Sequence, residues 1–185
     1  MKRQYSVADY ESIVRRLRER RPDLSLSSDF IIGFPGETEE EFEETVSLID
    51  RIGFDQSFSF IYSARPGTPA ADLTDGVTHV EKQRRLAVVQ QRLTASAQQV
   101  SRAMVGTKQR VLVDGYARKN PNQLSGRTEN NRVVNFDGPA DLLQNFVDVH
   151  ITEALPNSLR ARLVANRASD FAMISEGSAR MHTYT

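Results

Sequence analysis

In the first hundred positions, stretches whose apolar residues have helical spacing alternate with stretches that have a strand pattern. Helical spacing is found over residues 7–17, 39–52 and 79–103, and each stretch follows a Ser or Thr that can cap a helix. Strand patterns occupy residues 24–32 and 54–62 between them. The order helix–strand–helix–strand–helix predicts a parallel α/β domain. The first strand ends in the apolar run Phe30-Ile31-Ile32, so we expect it to be buried on both faces.

The pattern changes after Gly106. Short strands are predicted at residues 110–114, 132–136, 146–152 and 159–164, and turn-forming residues separate them at 115, 120–122, 126, 130–131 and 137–139. Several short strands at close spacing favour a small all-β barrel. The sequence thus predicts an α/β domain over residues 1–101, a barrel over 102–165 and a flexible tail over 166–185, where no period is sustained.

Composition narrows the chemistry available to the chain. None of the 185 residues is cysteine, so the chain offers no disulfide and no thiolate ligand for a metal or an iron–sulfur cluster. The three histidines are scattered, and we expect no metal site. No apolar run could cross a bilayer, and no signal peptide pattern follows Met1, so we expect a cytoplasmic protein without membrane partners. With 24 basic and 24 acidic residues, net charge neither supports nor excludes an RNA partner.

Charged residues of the α/β region include two clusters and one single arginine of interest. Six glutamates between Glu37 and Glu44 are typical of a solvated, well-capped helix start. The third helix carries five basic residues against Glu81, which indicates either a solvated face or a track for RNA: Lys82, Arg84, Arg85, Arg92 and Arg102. Arg65 follows the second strand, at the edge where parallel sheets bind ligands, so it either contacts a substrate or stabilises its loop.

The most informative stretch is residues 28–38, in which a strand runs into Gly33-Phe34-Pro35-Gly36 and then into a helix N-terminus. Ligands of parallel sheets bind at the carboxyl ends of the strands. Glycine permits close approach of the backbone, and a helix start offers free N–H groups. The same residues could also form a tight turn that binds nothing, so both interpretations stay open.

Three segments carry a resemblance to a known family. Residues 31–38, Ile-Ile-Gly-Phe-Pro-Gly-Glu-Thr, resemble the late-strand motif of radical-SAM enzymes. Residues 58–70 resemble the sixth strand and following loop of the methylthiotransferases in that superfamily, and residues 123–136 resemble a TRAM domain, a small RNA-binding barrel. The chain therefore resembles the C-terminal part of a radical-SAM methylthiotransferase over about residues 1–165.

This resemblance implies a fold, a reaction and cofactors. The expected fold is α/β, the C-terminal part of a radical-SAM partial TIM-like barrel, followed by a small all-β TRAM (OB-like) barrel. The family uses S-adenosylmethionine and two 4Fe-4S clusters to form a deoxyadenosyl radical and add a methylthio group to C2 of N(6)-isopentenyladenosine in tRNA. In this chain the residues expected to bind S-adenosylmethionine are Asp29, Ile31, Gly33, Phe34, Pro35 and Gly36.

The chain departs from the family because both sets of cluster-binding cysteines are missing. We therefore expect a C-terminal fragment with no catalytic residue and no metal ligand of its own, inactive by itself. A relative with the same domain order that modifies an aspartate of a ribosomal protein remains an alternative, and a relative that acts on threonylcarbamoyladenosine is a weaker one. A non-catalytic RNA-binding module is an alternative from a different class.

The expected partner is the anticodon stem-loop of tRNA. Basic and amide side chains in or beside the predicted turns could converge on one rim of the barrel, where arginine suits phosphates and stacked bases. An ordinary charged surface, and asparagines that only form turns, are the competing interpretations. The residues expected to bind RNA are Arg65, Arg118, Lys119, Arg127, Asn130, Asn131, Arg132 and Arg160.

Overall fold

A computed structural model describes residues 4–164, so the tail predicted over residues 166–185 lies outside the described residues. The first unit ends at Met104, and the second begins at Val105. The third helix continues to Ala103, past the division at residues 101–102 that we expected from the sequence. No helix among residues 4–164 combines the length and the apolar character needed to span a membrane.

The first unit has the expected order of helices and strands. Its elements are α1 Val7–Arg20, β1 Asp29–Ile32, α2 Glu39–Ile52, β2 Phe58–Ile61 and α3 His79–Ala103. Ser6 and Thr38 form capping boxes with the residues three positions later, and Thr78 accepts the N–H of Glu81. Gly53 ends α2 in the left-handed conformation, with a φ of 61°. The predicted α/β character is confirmed.

The two strands pair in parallel, from Asp29 opposite Phe58 to Ile32 opposite Ile61. Both are shorter than predicted, because residues 24–28 and 54–57 make only isolated contacts such as the hydrogen bond from Asp55 N to Leu26 O at 2.7 Å. The remaining strand residues alternate between a covered and an uncovered face.

Burial of β1 on both faces was predicted, and that prediction is wrong. Phe30 and Ile32 pack into a core with residues of all three helices, but Ile31 remains 39% exposed on the other face. Phe58 and Phe60 of β2 are 68% and 53% exposed on that same face. The reason is that the helices of the described chain cover only one side of the two-stranded sheet, so the sheet presents an apolar surface on the other.

The second unit is a closed five-stranded barrel. Its strands are β3 Lys108–Ala117, β4 Asn120–Thr128, β5 Val133–Phe136, β6 Phe146–Ala154 and β7 Leu159–Leu163. They close in the order β3-β4-β5-β7-β6, with β5 and β7 parallel and the other pairs antiparallel. Inward-facing side chains are almost completely buried and include Val111, Val113, Leu124, Val134, Phe136, Val149 and Ile151. The all-β second domain is therefore confirmed.

Sequence patterns missed β4, because they indicated turns at residues 120–122 and at Gly126. Gly126 instead lies within the strand, opposite Val113 on β3 and Val134 on β5. A Cβ atom at this position would lie 2.5 Å from Leu112 O and would also clash with Val111 Cγ1. Glycine is required here because the backbones of two strands approach closely, a common reason for a glycine within a strand.

Candidate functional site

A cavity of about 550 Å³ lies on the uncovered face of the first unit's sheet, near the carboxyl ends of its strands. Ile31 of β1 and Phe60 of β2 form its floor, since they are opposite one another in the strand register. Residues that follow the two strands complete its wall: Phe34, Tyr62, Arg65 and Thr68. Carboxyl ends of parallel strands are the usual ligand sites of such sheets, so this cavity is the candidate ligand site of the unit.

Tyr62 gives the cavity an unsatisfied polar group. Its ring stands edge-on to Phe34, with 5.1 Å between the ring centroids. Its hydroxyl is buried and has no hydrogen-bond partner among residues 4–164. A buried polar group without a partner costs about 1–3 kcal/mol, a cost that the described residues do not offset at Tyr62.

Arg65 projects from the loop after β2 and also lines the cavity. The loop is held by the backbone of Arg65, whose carbonyl oxygen accepts the Thr68 hydroxyl at 2.8 Å and the Thr68 N–H at 3.2 Å. No ion pair of its guanidinium is found in the described part of the chain. The side chain is therefore not needed to hold the loop, which favours the expected role in ligand binding.

The turn after β1 contributes less to the cavity than the sequence suggested. Of the six residues expected to bind the cofactor, Ile31 and Phe34 line the cavity. Asp29 lies on the same exposed face as Ile31, Gly33 and Pro35 are buried, and Gly36 is exposed.

The turn also has fewer free N–H groups than expected. Gly33 N donates to Glu37 Oε2 at 3.0 Å, and Glu37 N donates to Phe34 O at 2.9 Å. At the start of α2, the Thr38 and Glu41 side chains accept each other's backbone N–H groups. The expectation of open backbone donors at this turn was therefore wrong at these positions, because neighbouring side chains already occupy them.

Gly33 is required by a close neighbour rather than by a ligand. Its φ is +71°, and a Cβ atom there would lie 2.5 Å from Lys82 Cγ. Lys82 is 5% exposed, and its Nζ binds Asp75 Oδ2 at 2.5 Å, so its stem has little freedom to move away. Lys82 thus packs against the turn at Gly33, directly before Phe34.

We expect Gly33→Ala to destabilise the first unit clearly more than Gly36→Ala. Both positions have positive φ, which costs roughly 1 kcal/mol for alanine, but a Cβ atom added at Gly36 would have no other atom within 4 Å. The clash with Lys82 should add roughly 2 kcal/mol at Gly33. Urea unfolding followed by the helical circular dichroism signal measures both variants. Equal midpoints would contradict the tight packing of Lys82.

Arg85 lies at the centre of an ion-pair cluster between the start of α2 and α3. Its guanidinium contacts carboxylate oxygens of Glu37, Glu39 and Glu81 at 2.8, 2.9 and 2.9 Å. Arg84 contacts Glu39 and Glu81 from the solvent side, both at 2.6 Å. Hydrogen bonds from Arg84, and then from Arg85, lower the pKa of Glu81 to about 2. Because Glu37 also binds Gly33 N, this cluster stabilises the turn next to the cavity.

The basic side chains of α3 fit the predicted solvated face only in part, because Arg84, Arg92 and Arg102 are exposed whereas Lys82 and Arg85 are buried. Lys82 and Arg85 are each 5% exposed, and Arg84 pairs with two glutamates. Arg92 lies 3.7 Å from an Asp50 oxygen. Glu37 likewise differs from the expected solvated helix start, since its side chain is 11% exposed. A sequence pattern cannot reveal this pairing, because α2 and α3 are separated by more than twenty residues.

The predicted RNA-binding residues of the barrel do not converge on a single rim. Arg118 and Lys119 form the turn between β3 and β4, whereas Asn130 and Asn131 lie in the turn between β4 and β5. These two turns are at opposite ends of β4. The strand topology therefore separates the predicted set into two groups. The sequence indicated the turns but not the end of the barrel at which each turn lies.

The larger of these groups lies at the β4–β5 end and comprises Arg127, Asn130, Asn131 and Arg132. The Arg127 guanidinium donates to the Asn131 backbone and side-chain oxygens at 3.3 Å and lies 3.6 Å from an Asp114 oxygen. Asn131 has a φ of 63°, which is consistent with a turn. The Asn130 side chain accepts the Thr128 hydroxyl at 2.6 Å. Arg127 nevertheless keeps 47% of its side chain exposed and remains available for a partner.

Arg132 and Arg160 differ in accessibility. Arg132 is only 3% exposed, and its backbone N–H donates to the Thr128 hydroxyl at 2.9 Å. Direct contact of this side chain with RNA, as predicted, does not agree with its burial beneath the β4–β5 turn. Arg160 is 61% exposed on β7 and pairs with Glu153 at 3.0 Å.

The prediction of RNA-binding residues from the sequence missed a continuous surface on the outside of β3, β4 and β6. Leu112 on β3 is opposite Phe146 on β6 and Arg127 on β4, so the three side chains lie in one row. The Arg110 guanidinium carbon lies 4.4 Å from the centroid of the Phe146 ring. We call Arg110, Leu112, Arg127 and Phe146 the β3 face. Exposed apolar residues alternating with basic ones along adjacent strands would have been the available signal.

Within residues 4–164, no group of three or more His, Cys, Asp or Glu side chains is placed to hold a metal ion. The whole chain also lacks cysteine. The residues present therefore do not fit an iron–sulfur cluster, whose usual ligands are thiolates.

Comparison with known proteins identifies both units. Residues 102–164 match the TRAM domain family. The chain is 63% identical over 164 residues to a protein of Pseudoalteromonas translucida, a match that covers 89% of this chain and 34% of the relative. It is 61% identical over 165 residues to a Hahella chejuensis protein (89% and 37%) and 56% identical over 179 residues to a Bordetella petrii protein (97% and 36%).

All three relatives are named tRNA-2-methylthio-N(6)-dimethylallyladenosine synthase. The chain spans about a third of the length of these curated relatives. The family expected from the sequence motifs is thereby confirmed: the chain is homologous to the C-terminal portion of the tRNA-2-methylthio-N(6)-dimethylallyladenosine synthases and contains a TRAM domain.

Proposed function

We propose that this chain is the C-terminal part of a tRNA methylthiotransferase that adds a methylthio group to C2 of N(6)-isopentenyladenosine next to the anticodon. The observation that carries the proposal is the similarity to enzymes of this name, which extends through the α/β unit as well as the TRAM domain. A role in tRNA modification also implies a cytoplasmic location. The names of the relatives favour tRNA over a ribosomal protein as the substrate.

The cavity on the first unit is the part of this chain that fits S-adenosylmethionine or the adenine to be modified. Phe34 in the wall and Phe60 in the floor provide apolar aromatic surfaces for a purine, and the buried Tyr62 hydroxyl lacks a partner among residues 4–164. Arg65 could bind a carboxylate or a phosphate at the open side. S-adenosylmethionine, when bound, supplies the radical chemistry of the family. The residues of this chain would hold and orient the nucleoside.

The iron–sulfur clusters of the family find no ligands in this chain, since it contains no cysteine. No catalytic step can therefore be assigned to its own residues. This observation favours a second candidate function, a non-catalytic RNA-binding module. Both functions use the TRAM barrel, and they differ in whether the cavity lined by Tyr62 and Arg65 binds a nucleoside.

We expect the chain to bind tRNA with an affinity that falls steeply as salt is raised, because contacts with phosphates release counterions. Arg127→Ala should lower the affinity several-fold. It should also reduce the slope of log affinity against log salt concentration by about one. The matched control is Arg92→Ala, which removes the same charge from an exposed side chain of α3 outside the predicted RNA-binding set and should leave the affinity unchanged. Filter binding with a tRNA containing isopentenyladenosine measures both. Salt-independent binding, or no binding, would contradict the proposed function.

A further inference from the structure

The β3 face exposes an aromatic ring that the barrel does not use for its own core. Phe146 is 60% exposed, the largest value among the bulky apolar side chains in the described part of the second unit. It lies at the first position of β6, and its row continues through Leu112, which is 37% exposed. The inward side chains of the same strands, such as Val111 and Val149, are fully buried. The exposed ring is thus additional to a core that is already complete.

Arg110 is arranged to cover this ring rather than to pair with a carboxylate. Asp148 is opposite Arg110 in the register of β3 and β6, but its carboxylate binds Lys108 Nζ at 2.7 Å. Within residues 4–164 no ion pair of Arg110 is found. Its guanidinium therefore lies over one side of the Phe146 ring at 4.4 Å. Since most of the phenylalanine remains exposed, the ring keeps surface for a second stacking partner.

The charges around the ring identify the kind of partner. Three cations lie on this surface: Lys108 and Arg110 on β3, and Arg127 on β4 opposite Leu112. The carboxylates of Asp148 and Asp114 pair with Lys108 and Arg127. An aromatic ring offers a stacking surface to any base, and arginine adds a cation–π contact and a phosphate ligand. This combination fits an unpaired nucleotide better than a duplex, whose bases are already stacked on each other.

We propose that Phe146, with Arg110 behind it, stacks an unpaired base of the bound RNA, while Arg127 contacts the adjoining phosphate. The inference rests on the proposed RNA-binding function of the TRAM barrel and adds to it a base-stacking site. Such a site is independent of base identity, because every base has a π surface. It would hold a splayed nucleotide on the barrel without reading its sequence.

The test uses the full chain and a short single-stranded RNA that contains 2-aminopurine, whose fluorescence falls when it stacks on an aromatic ring. Phe146→Ala should weaken binding about tenfold and abolish the quenching, yet leave the salt slope unchanged, because no phosphate contact is lost. Phe146→Trp should keep both affinity and quenching. Phe146→Leu retains an apolar side chain without a π surface and should behave like the alanine variant. Circular dichroism confirms that each variant is folded.

The outcomes separate this inference from the proposed function. If the unaltered chain does not bind the RNA, the RNA-binding function itself fails. If it binds with the expected salt dependence but Phe146→Ala has unchanged affinity and quenching, only the stacking site is refuted. Normal binding by Phe146→Leu would also overturn it, since the contact would then be apolar and not aromatic. Equal weakening for a duplex of the same sequence would contradict selection of an unpaired base.

Discussion

Replacing Gly126 by alanine is expected to destabilise the barrel by about 2–3 kcal/mol. The added Cβ would meet Leu112 O at 2.5 Å, and a backbone oxygen within a strand cannot rotate away as a side chain can. The two strands must separate locally, which weakens the pairing of Gly126 with Val113 and Val134 on both sides of β4. Hydrogen-exchange mass spectrometry on the full chain measures the effect as loss of protection in barrel peptides.

The matched control for this substitution is Gly115→Ala. Gly115 is also within a barrel strand, but no atom lies within 4 Å of an added Cβ, and its φ needs no glycine. We expect protection of the barrel to change little in this variant, and peptides from residues 4–103 to be unaffected in both. Similar exchange in the two variants would show that the close approach at Gly126 is relieved without cost.

Arg85→Leu should destabilise the first unit by about 3 kcal/mol, because it leaves the carboxylate of Glu37 without its main cation in a site that is 11% exposed. Glu37 also accepts the N–H of Gly33, so the turn beside the cavity should loosen with it. Urea unfolding followed by the helical circular dichroism signal reports this change, because the α-helices of the described chain all lie in the first unit.

Arg84→Leu provides the comparison for the ion-pair cluster. Arg84 contacts two of the same carboxylates, Glu39 and Glu81, but its side chain is 48% exposed. Exposed ion pairs contribute little to stability, so the unfolding midpoint should hardly change. Arg85→Lys retains the charge but loses the planar fork that binds three carboxylates at once, and it should give an intermediate result. Equal effects of Arg84→Leu and Arg85→Leu would refute the importance of burial.

Local sequence signals were sufficient for the helices and for the type of each domain. Thr38 and Glu41 cap α2 where predicted, and its bounds agree with the predicted span of residues 39–52. The strand predicted over residues 146–152 is found within β6. These features depend on residues three or four positions apart, or on every second residue, so a short window contains the information that determines them.

The role of a glycine can be interpreted from the sequence only where its cause is local. Gly53 ends α2, and its effect can be read from the helix that precedes it. Gly33 and Gly126 are required by Lys82 and by Leu112, which are distant in the sequence. A glycine that permits close approach gives the same signal as a glycine that forms a turn, and for this reason β4 was missed.

The sequence by itself determined the α/β and all-β domains, the helix caps, the absence of thiolate ligands and the family motifs. Tertiary structure decided which charges are paired or buried, as with Arg85 and Arg132, and which side chains share a surface, as with Phe146 and Arg127. The physical reason is that periodicity and capping act over a few bonds along the chain. Burial, ion pairing and strand register depend on residues brought together only when the chain folds.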